Sequence, residues 1–241
     1  VDVQDDRLEI EFVGWGKGQN APESWSLHYG VLYGDPSGNQ LWDELDSLLL
    51  RSWTLPNGRN IGVSATCIDS GGHFTQAVYA YVKRTTGRKI YAIKDRGEEG
   101  RPAIPNRPSR NNIGKIPLYV LGSFALKEQV LAQLRIEEPG PGFCHFPDTR
   151  PKEFFLGLLA EKIVTKYGKG YAKRSWQKTN RQRNEPLVCR VYSLAALMIL
   201  NIRNMDKLAI RMNSEEGLDQ HDEKPKRRMV RPRRNFATSW R

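Results

Sequence analysis

The chain has 241 residues, 39% of them hydrophobic and 10% aromatic, enough to close one core with a tail left over. No apolar run reaches the ~18 residues that a membrane span needs, so no membrane role is expected. The net charge of +11 is uneven: residues 83–115 hold ten Lys/Arg against three acids, 165–190 eight against one, and 222–241 eight against two. Basic loops on an acidic body suggest a polyanion met by one face, which favours nucleic acid over a scatter of solvated lysines.

The opening VDVQDDRLE does not read as a signal peptide; it enters a strand pattern at once, as a piece of a longer protein would. Leu8, Ile10 and Phe12 alternate with charged neighbours, and Trp25, Leu27, Tyr29 and Val31 do the same, which predicts two strands. The turn DPSG at 35–38 leads to Leu41, Leu45, Leu48 and Leu49 on one helical face. Residues 61–69 read as a short apolar strand ending in Asp-Ser-Gly-Gly, 74–87 as a helix with a glycine stop, and 89–94 as another strand. The basic, Pro/Gly/Asn-rich stretch 95–115 reads as a long loop.

A strand at 117–122 follows, then a helix over 123–135 capped by Ser123, a short strand near 143–146 and a helix over 151–166. Residues 167–183 read as an exposed basic hairpin or edge strand. The helix after Arg-Asn-Glu-Pro carries Val188, Val191, Ala195, Met198 and Ile202 on one face. The expected organisation is one domain over 1–205 and a basic, disordered tail over 206–241. Strands in hairpin order, then strands alternating with helices, describe an α/β fold: a mixed central sheet flanked by helices. Cys67, Cys144 and Cys189 lie far apart with no CxxC, which argues against a disulfide framework or a zinc site and for a reducing compartment.

In open α/β sheets, sites gather at the carboxyl ends of strands. Asp69 occupies such an end, and Gly71 and Gly72 leave room beside it; capping of the next helix is the competing role. Asp2 alternates with Val1 and Val3, and an acid inside a central strand is costly to bury unless it is paired or holds a metal; a frayed end in solvent is the alternative. Glu185 lies three residues before Val188 at the start of its helix, where helix-terminus electrostatics alone would explain an acid.

The strings DVQDDRLEIEFVGWG (2–16), YGVLYGDPS (29–37), DSGGHFTQAVY (69–79), RIEEPGPGFCHFP (135–147) and NEPLVCRVYSLAAL (184–197) together resemble the large terminase subunit of lambda-like tailed phages. The likeness runs in order over about residues 1–200. It implies the C-terminal nuclease domain of a DNA-packaging motor, with an RNase H-like fold. The packaging ATPase of that family is not expected in this chain, which has no Gly-x4-Gly-Lys-Ser/Thr phosphate loop. The resemblance also implies clustered carboxylates that hold two divalent ions, Mg²⁺ or Mn²⁺, for phosphodiester hydrolysis of concatenated double-stranded DNA.

By that likeness the first-strand acid is Asp2, the second is Asp69, and the third, in the family string Asn-Glu-Ala-Leu-Asp-Cys-Arg-Val-Tyr, falls on Val188. Three readings compete: an introduced substitution, a natural loss, or Glu185 acting as ligand one turn earlier. A one-turn displacement moves a ligand by ~5 Å, so a disabled or weakened site is favoured. His73 is a secondary candidate for positioning water or phosphate.

Lys94, Arg96, Arg101, Arg107, Arg110, Lys115, Lys166, Lys169, Lys173, Arg174, Lys178, Arg181 and Arg183 are candidates to hold the DNA backbones, and Trp176 is expected to pack under its hairpin rather than stack on a base. The implied partners are double-stranded DNA, a small terminase subunit and the portal of the procapsid, in the host bacterial cytoplasm; the tail over 222–241 reads equally as a DNA-binding arm or as the peptide that docks on the portal. Two alternatives are another RNase H-like nuclease of the resolvase or integrase type, and a DNA-binding, portal-docking module without catalysis.

Overall fold

Val1 and Val3 turn to one side of a short strand and Asp2 to the other, as the alternation predicts, and this strand organises the sheet. It is β1 (Asp2–Val3), which pairs antiparallel with β2 (Arg7–Trp15); β2 pairs antiparallel with β3 (Ser24–Tyr33). The computed structural model of the chain describes residues 1–16, 18, 21–110, 114–168, 171–179, 182–202, 207, 208, 210 and 212. Helix α1 (Gln40–Leu49) follows, burying Leu41, Trp42, Leu45 and Leu49. The apolar run expected over 61–69 is two strands: β5 (Asn60–Gly62), closing a small hairpin with β4 (Ser52–Thr54), and the buried β6 (Thr66–Asp69).

Helix α2 (Thr75–Arg84) leads to β7 (Ile90–Arg96), parallel to β6. The loop expected over 95–115 holds a two-residue strand, β8 (Ser109–Arg110), antiparallel to β9 (Pro117–Gly122); β9 runs parallel to β7. Helix α3 (Ser123–Gln133) begins at Ser123 itself, with Gly122 at the cap and no side-chain capping bond, so the expected Ser123 cap is not formed. After β10 (Cys144–His145), parallel to β3, comes α4 (Lys152–Leu158). That helix stops far short of the expected residue 166. Residues Glu161–Gly168 are β11, paired antiparallel with β12 (Tyr171–Lys178), because the run Ile163, Val164, Thr165 is stiff at Cβ and favours a strand. The final helix is α5 (Glu185–Leu200).

Two four-stranded sheets result, in the orders β1-β2-β3-β10 and β6-β7-β9-β8. Val1 splices them: its amino group donates to the Cys67 carbonyl at 2.7 Å, and the Asp69 amide donates to the Val1 carbonyl at 3.1 Å. This is the bonding pattern of parallel neighbours, with Val1 opposite Ile68 and therefore Asp2 opposite Asp69. One face packs Leu8, Ile10, Phe12, Ile68 and Ala92 against α1 and α2; the other packs Cys67, Ile93 and Leu121 against α3 and α5. The chain is α/β, a mixed sheet with helices on both faces, consistent with an RNase H-like fold.

Helix α5 is buried more fully than its expected stripe. Leu187, Leu194 and Ala196 are buried as well as Val191 and Ala195, whereas Met198 is 38% exposed. The sheet, α3 and α4 all contact it. A Cβ on Gly157 of α4 would lie 2.7 Å from the Pro186 ring, so the glycine permits the close approach of α4 to the start of α5. Among the described residues no helix is long and apolar enough to cross a membrane. The tail expected beyond residue 205 lies outside the described residues, apart from 207, 208, 210 and 212.

Candidate metal centre and nucleic-acid face

Strand register brings four acids onto one face of the sheet. Asp2 is the cross-strand partner of Glu9, and it stands opposite Asp69 through the Val1 splice. Asp69 is the partner of Ile93, so Asp95, two residues further along β7, points the same way. Glu9, Asp2, Asp69 and Asp95 thus form a row across four neighbouring strands, on the side covered by α5. Glu9 is fully buried but neutralised: Arg7 Nε donates to it at 2.7 Å, and Arg183 and the Tyr29 hydroxyl donate as well.

Among the described residues no side-chain cation pairs with Asp2, and only the Val1 amino charge offsets it in part. It is 5% exposed, so it is not a frayed end, and its carboxylate accepts a bond from Gln4 Nε2 at 2.7 Å. Burial, then the charge of Asp69, push its pKa up to about 6. Burial also raises Asp69, and Asp95 adds to that effect. Asp69 Oδ1 accepts the Gly71 amide at 2.9 Å, while the residue capping α2 is Phe74, so Asp69 does not cap that helix. A Cβ on Gly71 would come within 3.1 Å of Asp69 Oδ1, whereas Gly72 faces open space; only the first glycine clears room for the carboxylate.

Helix α5 delivers three side chains toward this row. Glu185, buried at its first turn, pairs with Arg7 at 3.2 Å and Arg183 at 3.4 Å and so belongs to a four-member ion-pair ring with Glu9. Tyr192 is buried, and its hydroxyl is held well above the usual tyrosine range by burial first and then by the charges of Asp69, Asp2 and Asp95. Val188 lies three residues after Glu185 and four before Tyr192, hence on the same helical face, half-buried against the cluster of Cys67 and Ile93. An apolar group therefore occupies the turn between two side chains that feel the acids. His73 Nδ1 lies 3.0 Å from Asp5 Oδ1, an exposed contact that ties the loop after β1 to the loop after β6.

These oxygen donors suit a hard divalent cation, which would relieve the charge of Asp2 and Asp69. Among the described residues no three His, Cys, Asp or Glu side chains converge closely enough to hold an ion. Asp2 and Asp69 thus fit one end of a metal centre whose third oxygen is not drawn in.

The basic candidates divide into two groups. Lys94, Arg96, Arg107, Arg110, Lys115, Lys166, Lys173 and Lys178 are exposed. Arg101 is tied to Glu98 at 2.7 Å, and Arg174 bridges Glu99 at 2.6 Å and Glu128 at 3.3 Å, so these two serve the packing of the basic loop and the hairpin. The Arg174 bridge joins the segments that the charge pattern singled out. Arg183 is 57% exposed along its side chain yet bound to Glu9 and Glu185. Lys169 and Arg181 lie outside the described residues. Trp176 packs as expected, donating Nε1 to the Phe124 carbonyl at 3.2 Å.

Sequence reasoning missed Glu9, Asp95, Arg7 and Tyr192. The alternation of β2 carried the signal for Glu9, which must share a face with Glu11 opposite Leu8 and Ile10. Asp95 was hidden by the basic loop into which it was read.

A mixed α/β sheet with acids at the ends of adjacent strands under a helix is an architecture suited to metal-assisted chemistry on phosphates. Residues 1–208 match the family described as terminase large subunit gpA, endonuclease domain, and the chain belongs to that family. It is 32% identical over 228 residues to the large terminase subunit of Escherichia phage lambda and 28% identical over 225 residues to that of Enterobacteria phage P21. Each alignment covers 90% of this chain but only 35% and 34% of the relative, so the chain spans about a third of their length. No solved structure matches it.

Proposed function

We propose that this chain is a divalent-metal-dependent endonuclease domain that cuts concatenated double-stranded DNA during viral genome packaging, with cleavage weakened by Val188. The observation that carries the reading is the pair of buried Asp2 and half-buried Asp69, two carboxylates without a side-chain cation among the described residues, on adjacent strands beneath α5. Asp2 and Asp69 would hold the metal, Mg²⁺ or Mn²⁺, which when bound supplies Lewis-acid activation of water and of the scissile phosphate. Gly71 orients Asp69 through its amide, and Gln4 orients Asp2. The Arg7 and Arg183 ring keeps Glu9 and Glu185 neutralised, so the net negative charge is confined to the row from Asp2 to Asp95. In this reading Glu185 anchors the start of α5 and is not the replacement ligand.

The exposed lysines of the hairpin and the cations of the basic loop grip the phosphate backbones without reading sequence. Site selection then falls to the small terminase subunit. The basic tail over 206–241 serves as the arm that reaches the portal of the procapsid, and the work is done in the host bacterial cytoplasm. One observation favours a second reading, a DNA-binding and portal-docking module without catalysis: Val188 offers no oxygen.

Supercoiled plasmid decides between them. The expected result is slow nicking with Mn²⁺ that disappears with EDTA and in Asp2→Asn. Cutting that persists in EDTA or in Asp2→Asn contradicts the assignment, and DNA binding with no cutting at any metal concentration favours the docking module.

A further inference from the structure

The tip of the β11–β12 ribbon carries two tyrosines that its packing leaves unused. Tyr167 and Tyr171 are 84% and 78% exposed, and among the described residues neither ring meets another ring or makes a hydrogen bond. The aromatic that holds the ribbon down is Trp176, which lies against the Phe124 ring and donates to the Phe124 carbonyl. Tyrosine suits a strand because it covers its neighbours on the pleated surface, and these two cover little.

Cross-strand pairing sorts the ribbon into two faces. Gly168 stands opposite Tyr171 and Lys166 opposite Lys173, so Tyr171, Lys162, Lys166 and Lys173 share the face turned away from α3. The glycine gives the Tyr171 ring no side chain to lean on across the ribbon. Lys166 and Lys173 are exposed, and neither forms an ion pair among the described residues. Like charges directly opposite each other weaken a ribbon, and an anion held between the two ammonium groups removes that cost.

Positive charge gathers at the same place from outside the ribbon. Glu98, in the loop after β7, is held below the usual carboxylate range by Arg101 first and further by the charges of Arg96 and Lys173. Three cations meet one exposed carboxylate there, which leaves an excess beside Lys173. Tyr171 and Lys173 are two residues apart on one strand, about 7 Å, so a ring and an ammonium group stand side by side. A closed duplex offers the lysines its phosphates but keeps its base faces stacked; an unpaired base offers the ring a face as well.

We propose that the lysine face of the β11–β12 ribbon is a site for DNA with unpaired bases, in which the Tyr171 ring stacks on a base and Lys166 and Lys173 hold the phosphate beside it. The proposal rests on the DNA-binding reading above and gives the ribbon a preference that backbone contacts alone do not supply. It is independent of the metal centre.

Fluorescence anisotropy in EDTA, with a short duplex and with the same duplex opened by a central mismatched bubble, tests it without cleavage. The parent is expected to bind the bubbled DNA about tenfold more tightly than the closed duplex, the size of one base stacked on an aromatic side chain. Tyr171→Ala should erase that ratio while leaving duplex affinity within twofold, which also shows that the variant is folded. Tyr171→Phe should keep the ratio, as should Tyr33→Ala, an exposed tyrosine at the end of β3. If the parent binds both DNAs equally, or if Tyr171→Ala keeps the preference, the stacking site is overturned and backbone binding stands. If the parent binds neither DNA, the DNA-binding reading fails and the stacking site fails with it.

Discussion

Asp2 carries a consequence that is measurable without DNA. Its pKa rises from 3.8 to about 6 on folding, so the folded chain binds this proton more tightly than the unfolded chain. A raised carboxylate pKa makes stability fall as pH climbs through the window between the two values, and the full penalty is present above about 6. Asp2→Asn removes the charge and keeps an acceptor for Gln4. The metal-free variant should be more stable than the parent at pH 8 by about 1–3 kcal/mol, with the difference vanishing near pH 4. Chemical denaturation at the two pH values checks this, and an equal or less stable variant at pH 8 would mean the carboxylate is compensated. At this scale Asp2 and Asp69 were legible because an acid interrupting an apolar strand is conspicuous. Glu9 was not, because an acid alternating with leucine and isoleucine reads as solvent-facing until a second layer is known to cover it.

The elements show where local pattern loses to partners. Residues 151–166 carry apolar side chains that suit a helix, yet the chain leaves α4 at Leu158 and crosses into β11, whose eight residues all find partners in β12. Pairing with a distant strand is invisible to periodicity within one segment. The resulting ribbon puts Lys162, Lys166 and Lys173 on one face and Ile163, Trp176 and Arg174 on the other, the face that meets α3. Lys166→Ala with Lys173→Ala should lower DNA affinity and reduce the slope of log affinity against log salt by about 2. A slope unchanged in a salt titration would remove the ribbon from the DNA face.

Helix α5 offers a contrasting case, for Arg190 is almost fully buried 2.8 Å from Glu11 and beneath the Phe146 ring. Arg190→Ala would strand Glu11 in the core, and urea denaturation should show a loss of about 3–5 kcal/mol. A loss below 1 kcal/mol would show that Glu11 takes up a proton or water at little cost.

Among the described residues two basic segments, the loop after β7 and the β11–β12 ribbon, are drawn together, while the acids are sorted beneath α5. The Arg174 bridge fastens the loop after β7 to the ribbon, and that loop departs from the strand end that carries Asp95. In the proposed reading, attraction of DNA and concentration of metal would use separate surfaces that meet at the strand ends. Composition and charge made the first surface legible. The second depended on register: which residue of β6 stands beside which residue of β7 is fixed by hydrogen bonds that no spacing within either strand encodes. Family likeness supplied the expectation at position 188, and the fold places that position between two helix neighbours, Glu185 and Tyr192, that lie within reach of the acids' field.

The most direct measurement is Mn²⁺-dependent cleavage of supercoiled plasmid by this protein and by Val188→Asp, side by side. The account predicts slow cutting by the parent and at least tenfold faster cutting by the variant, both abolished by EDTA. Equal rates would contradict it, because position 188 would then lie outside the reacting centre.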